Sequence, residues 1–104
     1  MSSFDDRENA FENKFAHDAE IQFKAEARRN KLLGLWAADL MGKSDDDAKT
    51  YAAEVVKSDF EEPGDEDVYR KVSGDLGDKA SEADIRAKMV ELMAVAKSQL
   101  MDEL

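Results

Sequence analysis

The chain carries 25 acidic side chains against 15 basic ones, a single histidine and no cysteine, and any chemistry it performs must come from these. Catalysis needs a nucleophile beside a base, a matched acid and base, or a bound metal. A two-metal carboxylate site of the kind built in helical bundles uses Glu-x-x-His pairs, yet the residue three before His17 is Lys14. Gly42-Lys43-Ser44 has the ending of a phosphate-binding loop, but the glycine required five residues before Gly42 is Ala37. Asp45-Asp46-Asp47 lacks the central glycine and closing glutamate of a calcium loop. Simpler structural roles cover all three: an exposed histidine, a helix stop followed by an N-cap, and an acidic first turn. No catalytic residue and no metal ligand is expected, and no cofactor is required.

Two constellations remain that suit recognition. Lys24, Arg28, Arg29 and Lys31 form a basic run in an acidic chain, with Lys24, Arg28 and Lys31 on one helical face at i, i+4 and i+7. Such a face can meet a phosphate or an acidic partner surface, or it can pair with the chain's own carboxylates. The second constellation is Phe4, Phe11 and Phe15, an i, i+7, i+11 set with Asp5, Asp6, Arg7, Glu8, Glu12 and Lys14 around it. Three phenylalanines with no obvious core to fill suggest a binding face.

The formal net charge of -10 opposes binding to phosphate backbones and anionic lipid headgroups, so nucleic acid is not an expected partner. No run reaches the ~20 apolar residues of a membrane span, and Met1-Ser2-Ser3-Phe4-Asp5-Asp6 has neither the basic start nor the apolar stretch of a secretory signal. A cytoplasmic protein, monomeric when free and held together by packing alone, is the expectation.

These residues must be positioned by helices. Apolar residues make up 42% and charged residues 38% of the chain, with one proline, a composition that favours long helices. A first helix is expected over 18–41, from Ala19, Phe23, Ala27, Leu33, Trp36, Ala37 and Leu40, stopped by Gly42. Ser44 then N-caps a second helix over 45–61 with Tyr51, Ala52, Val55, Val56 and Phe60 on one face. Glu61-Glu62-Pro63-Gly64 closes it. A short third helix over 66–76 carries Val68, Tyr69, Val72 and Leu76, and a fourth over 82–101 opens at Ser81 with Asp84 three residues on and carries Ile85, Met89, Leu92, Met93, Ala96 and Leu100. Short connections between such stripes predict an all-α, irregular four-helix bundle over 18–104, with Trp36, Val55, Val72, Met89 and Leu92 in its core. Residues 1–17 are read as a partly disordered amphipathic arm. Its ladder Phe11, Phe15, Ala19, Phe23 allows it to extend the first helix intermittently, and it is too short to be a stable helix alone.

Three runs in the N-terminal third are specific: Phe4-Asp5-Asp6-Arg7-Glu8, Glu12-Asn13-Lys14-Phe15-Ala16-His17-Asp18, and Phe23-Lys24-Ala25-Glu26-Ala27-Arg28-Arg29-Asn30-Lys31-Leu32-Leu33-Gly34-Leu35-Trp36-Ala37-Ala38. Together with Tyr51-Ala52-Ala53-Glu54-Val55-Val56-Lys57 and Asp67-Val68-Tyr69-Arg70-Lys71, they closely resemble the zeta-subunit family of ATP synthase inhibitors of alpha-proteobacteria. The resemblance spans nearly the whole chain and is densest over residues 4–38. It implies a non-enzymatic four-helix protein that binds the catalytic head of the F-type ATP synthase and blocks ATP hydrolysis. It further implies that the N-terminal segment enters a catalytic interface between alpha and beta subunits and reaches toward gamma. The contact candidates are then Phe4, Asp5, Asp6, Arg7, Phe11, Lys14 and Phe15, and the protein would lie peripheral to the inner membrane through the synthase. The alternative is a small helical module that binds an adenine nucleotide or another protein.

Overall fold

The computed structural model describes the backbone of residues 3–60 and 64–103, with side chains described from residue 19 onward within those ranges. Four helices follow one another: α1 (Ser3–Leu40), α2 (Asp45–Ser58), α3 (Glu66–Leu76), a 3-10 turn over Gly77–Lys79, and α4 (Glu82–Glu103). No strand occurs among the described residues, and the expected irregular four-helix architecture is the one found. The backbone of α1 begins 15 residues before position 18, at Ser3. Its 38 residues span about 57 Å at ~1.5 Å each, which accounts for the long dimension of 62 Å beside short ones of 25 and 21 Å. The next longest helix, α4, has 22 residues, about 33 Å, so the N-terminal part of α1 outruns the bundle.

Each junction has a local cause. Gly42 takes φ 73°, while the Lys43 amide reaches back to the Ala38 carbonyl at 2.9 Å and the Gly42 amide to Asp39 at 3.0 Å, the left-handed helix stop that glycine permits. Ser44 is the extended residue before α2, but its hydroxyl makes no capping bond. The three acidic residues of the first turn face the helix dipole instead. At α4 the cap is reciprocal: the Asp84 amide donates to Ser81 Oγ at 3.1 Å, and the Ser81 amide donates to Asp84 Oδ2 at 3.4 Å.

The second helix ends at Ser58 rather than at 61. Ser58 Oγ donates to the Val55 carbonyl at 2.7 Å, the acceptor that the Asp59 amide would need to continue the helix. The Asp59 and Phe60 amides turn to Val56 and Lys57 at 3.3 and 3.1 Å, a tightened last turn. Phe60, expected on the apolar face of this helix, is 69% exposed beyond its end. The expected stop at Glu61-Glu62-Pro63 lies outside the described residues.

The core joins Leu33, Ala37 and Ala38 of α1 to Tyr51 and Val55, to Val68, Val72 and Leu76, and to Ile85 and Met89. Trp36 and Leu92, expected inside, pack against it half-buried. The expected stripe of α1 is only partly the buried one: Ala19, Phe23 and Leu40 are exposed. The ladder that enters the bundle is Ala25, Arg29, Leu33 and Ala37, which shares Leu33 and Ala37 with the expected stripe but at its start lies two residues, about 160–200°, around the helix from Phe23 and Ala27.

Gly34 is where α1 and α2 approach most closely, since a Cβ placed there would lie 2.6 Å from the Ala52 Cα and 3.2 Å from Val55 Cγ2. The obstructing atom is backbone, so the helices themselves would have to part. Alanine gains about 1 kcal/mol of helix propensity over glycine, while overpacking a core costs about 1–3 kcal/mol. Because the clash is with backbone, the cost lies toward the upper end of that range, and Gly34→Ala is expected to destabilise the fold by up to about 2 kcal/mol net, read as a lower urea midpoint at unchanged slope. A variant as stable as the parent would show that the contact is loose.

Candidate partner-binding site

The arm's contact candidates Phe4, Asp5, Asp6, Arg7, Phe11, Lys14 and Phe15 stand on the helical backbone of α1; their side chains, and that of His17, lie outside the described residues.

The basic run is divided by the fold. Lys24, Arg28 and Lys31 line one groove of about 660 Å³, together with Glu20, Ile21, Phe23 and Ala27 of α1, Val56 of α2, and Leu100 and Glu103 of α4. Arg29 points elsewhere and is 2% exposed. Its Nε donates to Asn30 Oδ1 at 2.8 Å and its Nη2 to Asp65 Oδ1 at 2.8 Å. The fully buried Asn30 in turn donates through Nδ2 to Asp59 Oδ2 at 3.0 Å. Arg29 and Asn30 thus tie α1 to the end of α2 and the start of α3, and no buried side-chain polar atom among the described residues lacks a partner. The Arg29 bond holds the Asp65 carboxyl below its ordinary pKa, whereas burial pushes that of Asp59 up. Sequence reasoning missed this network; the available signal was that Arg29 stands exactly four residues from both Ala25 and Leu33, an apolar ladder interrupted by a guanidinium.

Within the groove, Arg28 makes a two-pronged pair with Glu103, with Nη2 3.0 Å from Oε2. This pairing raises the Arg28 pKa and lowers that of Glu103. Lys24 meets Glu20 at 2.9 Å, and both are more than half exposed. Lys31 has no partner among the described residues. Beside these cations lie apolar side chains left open to solvent, Phe23 at 58% exposure and Phe60 at 69%. A second open groove, of about 730 Å³, runs between the start of α3 and α4 past Arg86, Met89, Val90 and Met93. Arg86 is fixed there over the Tyr69 ring at 4.0 Å and by both oxygens of Glu66, which lowers the Glu66 pKa.

No cluster of three or more metal-ligating side chains occurs among the described residues, nor does any helix long and apolar enough to cross a membrane. A helix that outruns its bundle, beside an exposed apolar strip edged with cations, defines a small all-helical protein built for surface recognition. The chain belongs to the family described as ATPase inhibitor subunit zeta, whose model matches residues 1–99. A solved structure, determined by solution NMR, is 70% identical, covers 81% of this chain and 99% of its own, and superposes with a TM-score of 0.76. No curated protein matches the chain. Family membership makes it a regulatory, non-catalytic protein with an ATP synthase as partner.

Proposed function

We propose that the chain inhibits ATP hydrolysis by the F-type ATP synthase by lodging its arm, residues 1–17, at a catalytic interface between alpha and beta subunits and reaching toward gamma. The observation that carries this reading is the reach of α1, whose backbone continues as helix to Ser3 and far outruns the bundle. The family match likewise begins at residue 1 and so includes this segment. A helical rod bearing Phe4, Phe11 and Phe15 along one face can enter a groove between subunits and bury its rings there. Lodged in that place it obstructs the domain closure and rotation of each catalytic cycle, and no bond in the inhibitor changes. Residues 18–104 serve as the handle that presents the arm, on the cytoplasmic side and peripheral to the membrane through the synthase.

Affinity on this mechanism concentrates in the buried rings. Phe11→Ala or Phe15→Ala should cost about 2 kcal/mol or more of binding, a roughly thirtyfold loss, and Glu12→Ala much less. Hydrolysis by the isolated catalytic head, measured against increasing inhibitor, tests this. Equal inhibition by all three variants would remove the rings from the contact.

The alternative of an adenine nucleotide on the basic patch is the weaker one. Lys24 and Arg28 are already engaged by Glu20 and Glu103, and Arg29 is committed to Asp65, so a phosphate entering the groove would meet two carboxylates with its cations.

A further inference from the structure

The exposed apolar strip of the bundle and its basic edge form one continuous surface. Phe23, Ala27 and Val56 line both the groove of Lys24, Arg28 and Lys31 and a smaller depression that ends at Phe60. We propose that this surface is the resting dock of the chain's own arm. Residues 3–15 fold back on α1 as an antiparallel helix, lay their phenylalanine face on Phe23, Ala27 and Val56, and pair Asp5 with Lys31, Glu8 with Arg28 and Glu12 with Lys24.

The spacing of charges argues for this occupant. Asp5, Glu8 and Glu12 advance by three and then four residues, and Lys31, Arg28 and Lys24 retreat by the same three and four. One antiparallel register therefore serves all three pairs at once, on surfaces where residues three and four apart are neighbours. The wheel agrees with the spacing. At ~100° per residue, the acidic edge lies about 75° to one side of the arm's phenylalanine stripe, and the basic edge lies about 85° to the same side of the Phe23–Ala27 stripe. When two antiparallel helices meet face to face, it is edges of the same sense that come together. The reach also fits, since residues 3–15 as helix span about 18 Å, close to the rise of α1 from residue 20 to 31.

The hinge falls at residues 16–20, a connection as short as those of helical hairpins. Ala19 and Glu20 are exposed, so unwinding at these two positions uncovers no buried side chain of theirs, and Asp18 is a residue type that starts a helix well. Lys31 is exposed and has no partner among the described residues, while Glu20 and Glu103, which hold Lys24 and Arg28, are themselves 59% and 56% exposed, so a tethered Glu12 and Glu8 exchange with them at little loss. The straight α1 is then the open form, with its rings offered to a partner, and the docked form withholds them. The partner sees only the undocked fraction, which lowers the apparent affinity by that fraction. This regulatory meaning rests on the arm being the inhibitory element, whereas the docking itself does not.

A single nitroxide label tests it in the free, full-length chain, because the absence of cysteine makes Ser3→Cys a unique attachment point. In a straight α1 the label lies about 42 Å from Lys31 along the helix and leaves that region untouched. With the arm docked, amide signals around Lys31 are lost relative to the reduced control. Arg28→Glu with Lys31→Glu, checked for unchanged helicity, should restore those signals, and adding Asp5→Lys with Glu8→Lys should remove them again. No loss in the parent overturns the proposal, as does loss that persists after charge reversal or is not re-established by the swap. Loss seen when labelled chains are mixed with isotope-enriched unlabelled ones also overturns it, since the arm then docks on a second copy. Inhibition by a chain lacking the arm is a separate assay, so failure of the dock and failure of the arm as effector are read independently.

Discussion

Removal of residues 1–17 is expected to abolish inhibition of ATP hydrolysis while the bundle remains folded. Among the described residues of α1, burial begins at Ala25, and residues 19–24 are exposed or half-exposed. Among the described residues, every core contact between the helices is therefore made beyond the cut, and Asp18 is left at the new helix start, where an acidic residue is favourable. The truncated chain should unfold within about 0.5 kcal/mol of the parent, as surface changes do. Inhibition should fall much further, because the deleted segment holds three of the five phenylalanines and the reach to enter an interface. The paired measurements are urea unfolding and hydrolysis by the isolated catalytic head against increasing inhibitor. A truncated chain that inhibits as well as the full one would make the bundle the effector.

The second large effect is expected at Asp65. Its carboxylate is the charged partner of Arg29, whose side chain is 3% exposed while that of Asp65 is 53% exposed. Guanidinium cannot shed its proton, so Asp65→Ala leaves a cation at the join of α1 with the α2–α3 connection, bonded among the described residues to the neutral Asn30 Oδ1 and with the Asp59 carboxylate still acting on it through space. Breaking a fully buried pair costs about 3–5 kcal/mol. Here Asp65 is half exposed and Arg29 borders an open groove, so water replaces part of what is lost, and about 2–3 kcal/mol is expected. Loss of the exposed pair to Arg28 in Glu103→Ala should leave the unfolding midpoint nearly unchanged.

The pH dependence gives Asp65 a signature of its own. Its pKa is depressed by folding through the Arg29 hydrogen bond, so its contribution is fully present above the unfolded carboxylate's pKa and disappears as pH falls through the lower folded value. Asp59 has the opposite sign, since burial raises its folded pKa and protonation relieves that penalty. The stability gap between parent and Asp65→Ala should accordingly be widest at neutral pH and close in acid. A gap that is constant with pH would mean the variant loses packing rather than charge pairing.

Most of the helix bounds were legible in the residues alone, because the signals that place them are local. Apolar residues at three- and four-residue spacing, Gly42 at a left-handed stop, and Ser81 with Asp84 at a cap act through neighbours within one turn. Glu66–Leu76 accordingly has the expected bounds. The sequence also carried the residues that mark the family. Which of the possible stripes of α1 faces inward was settled by packing between the helices. Ala19–Phe23–Ala27 and Ala25–Arg29–Leu33 both advance by four residues but run more than about 100° apart around α1, and neither is marked as the inner ladder until α2, α3 and α4 cover one of them. That choice turned Arg29 and Asn30 into a buried tie between helices, left Phe23 in solvent, and assembled Lys24, Arg28 and Lys31 with Val56 and Leu100 from distant parts of the chain. Burial depends on what packs against a face, and those partners lie dozens of residues away, beyond the reach of any local pattern.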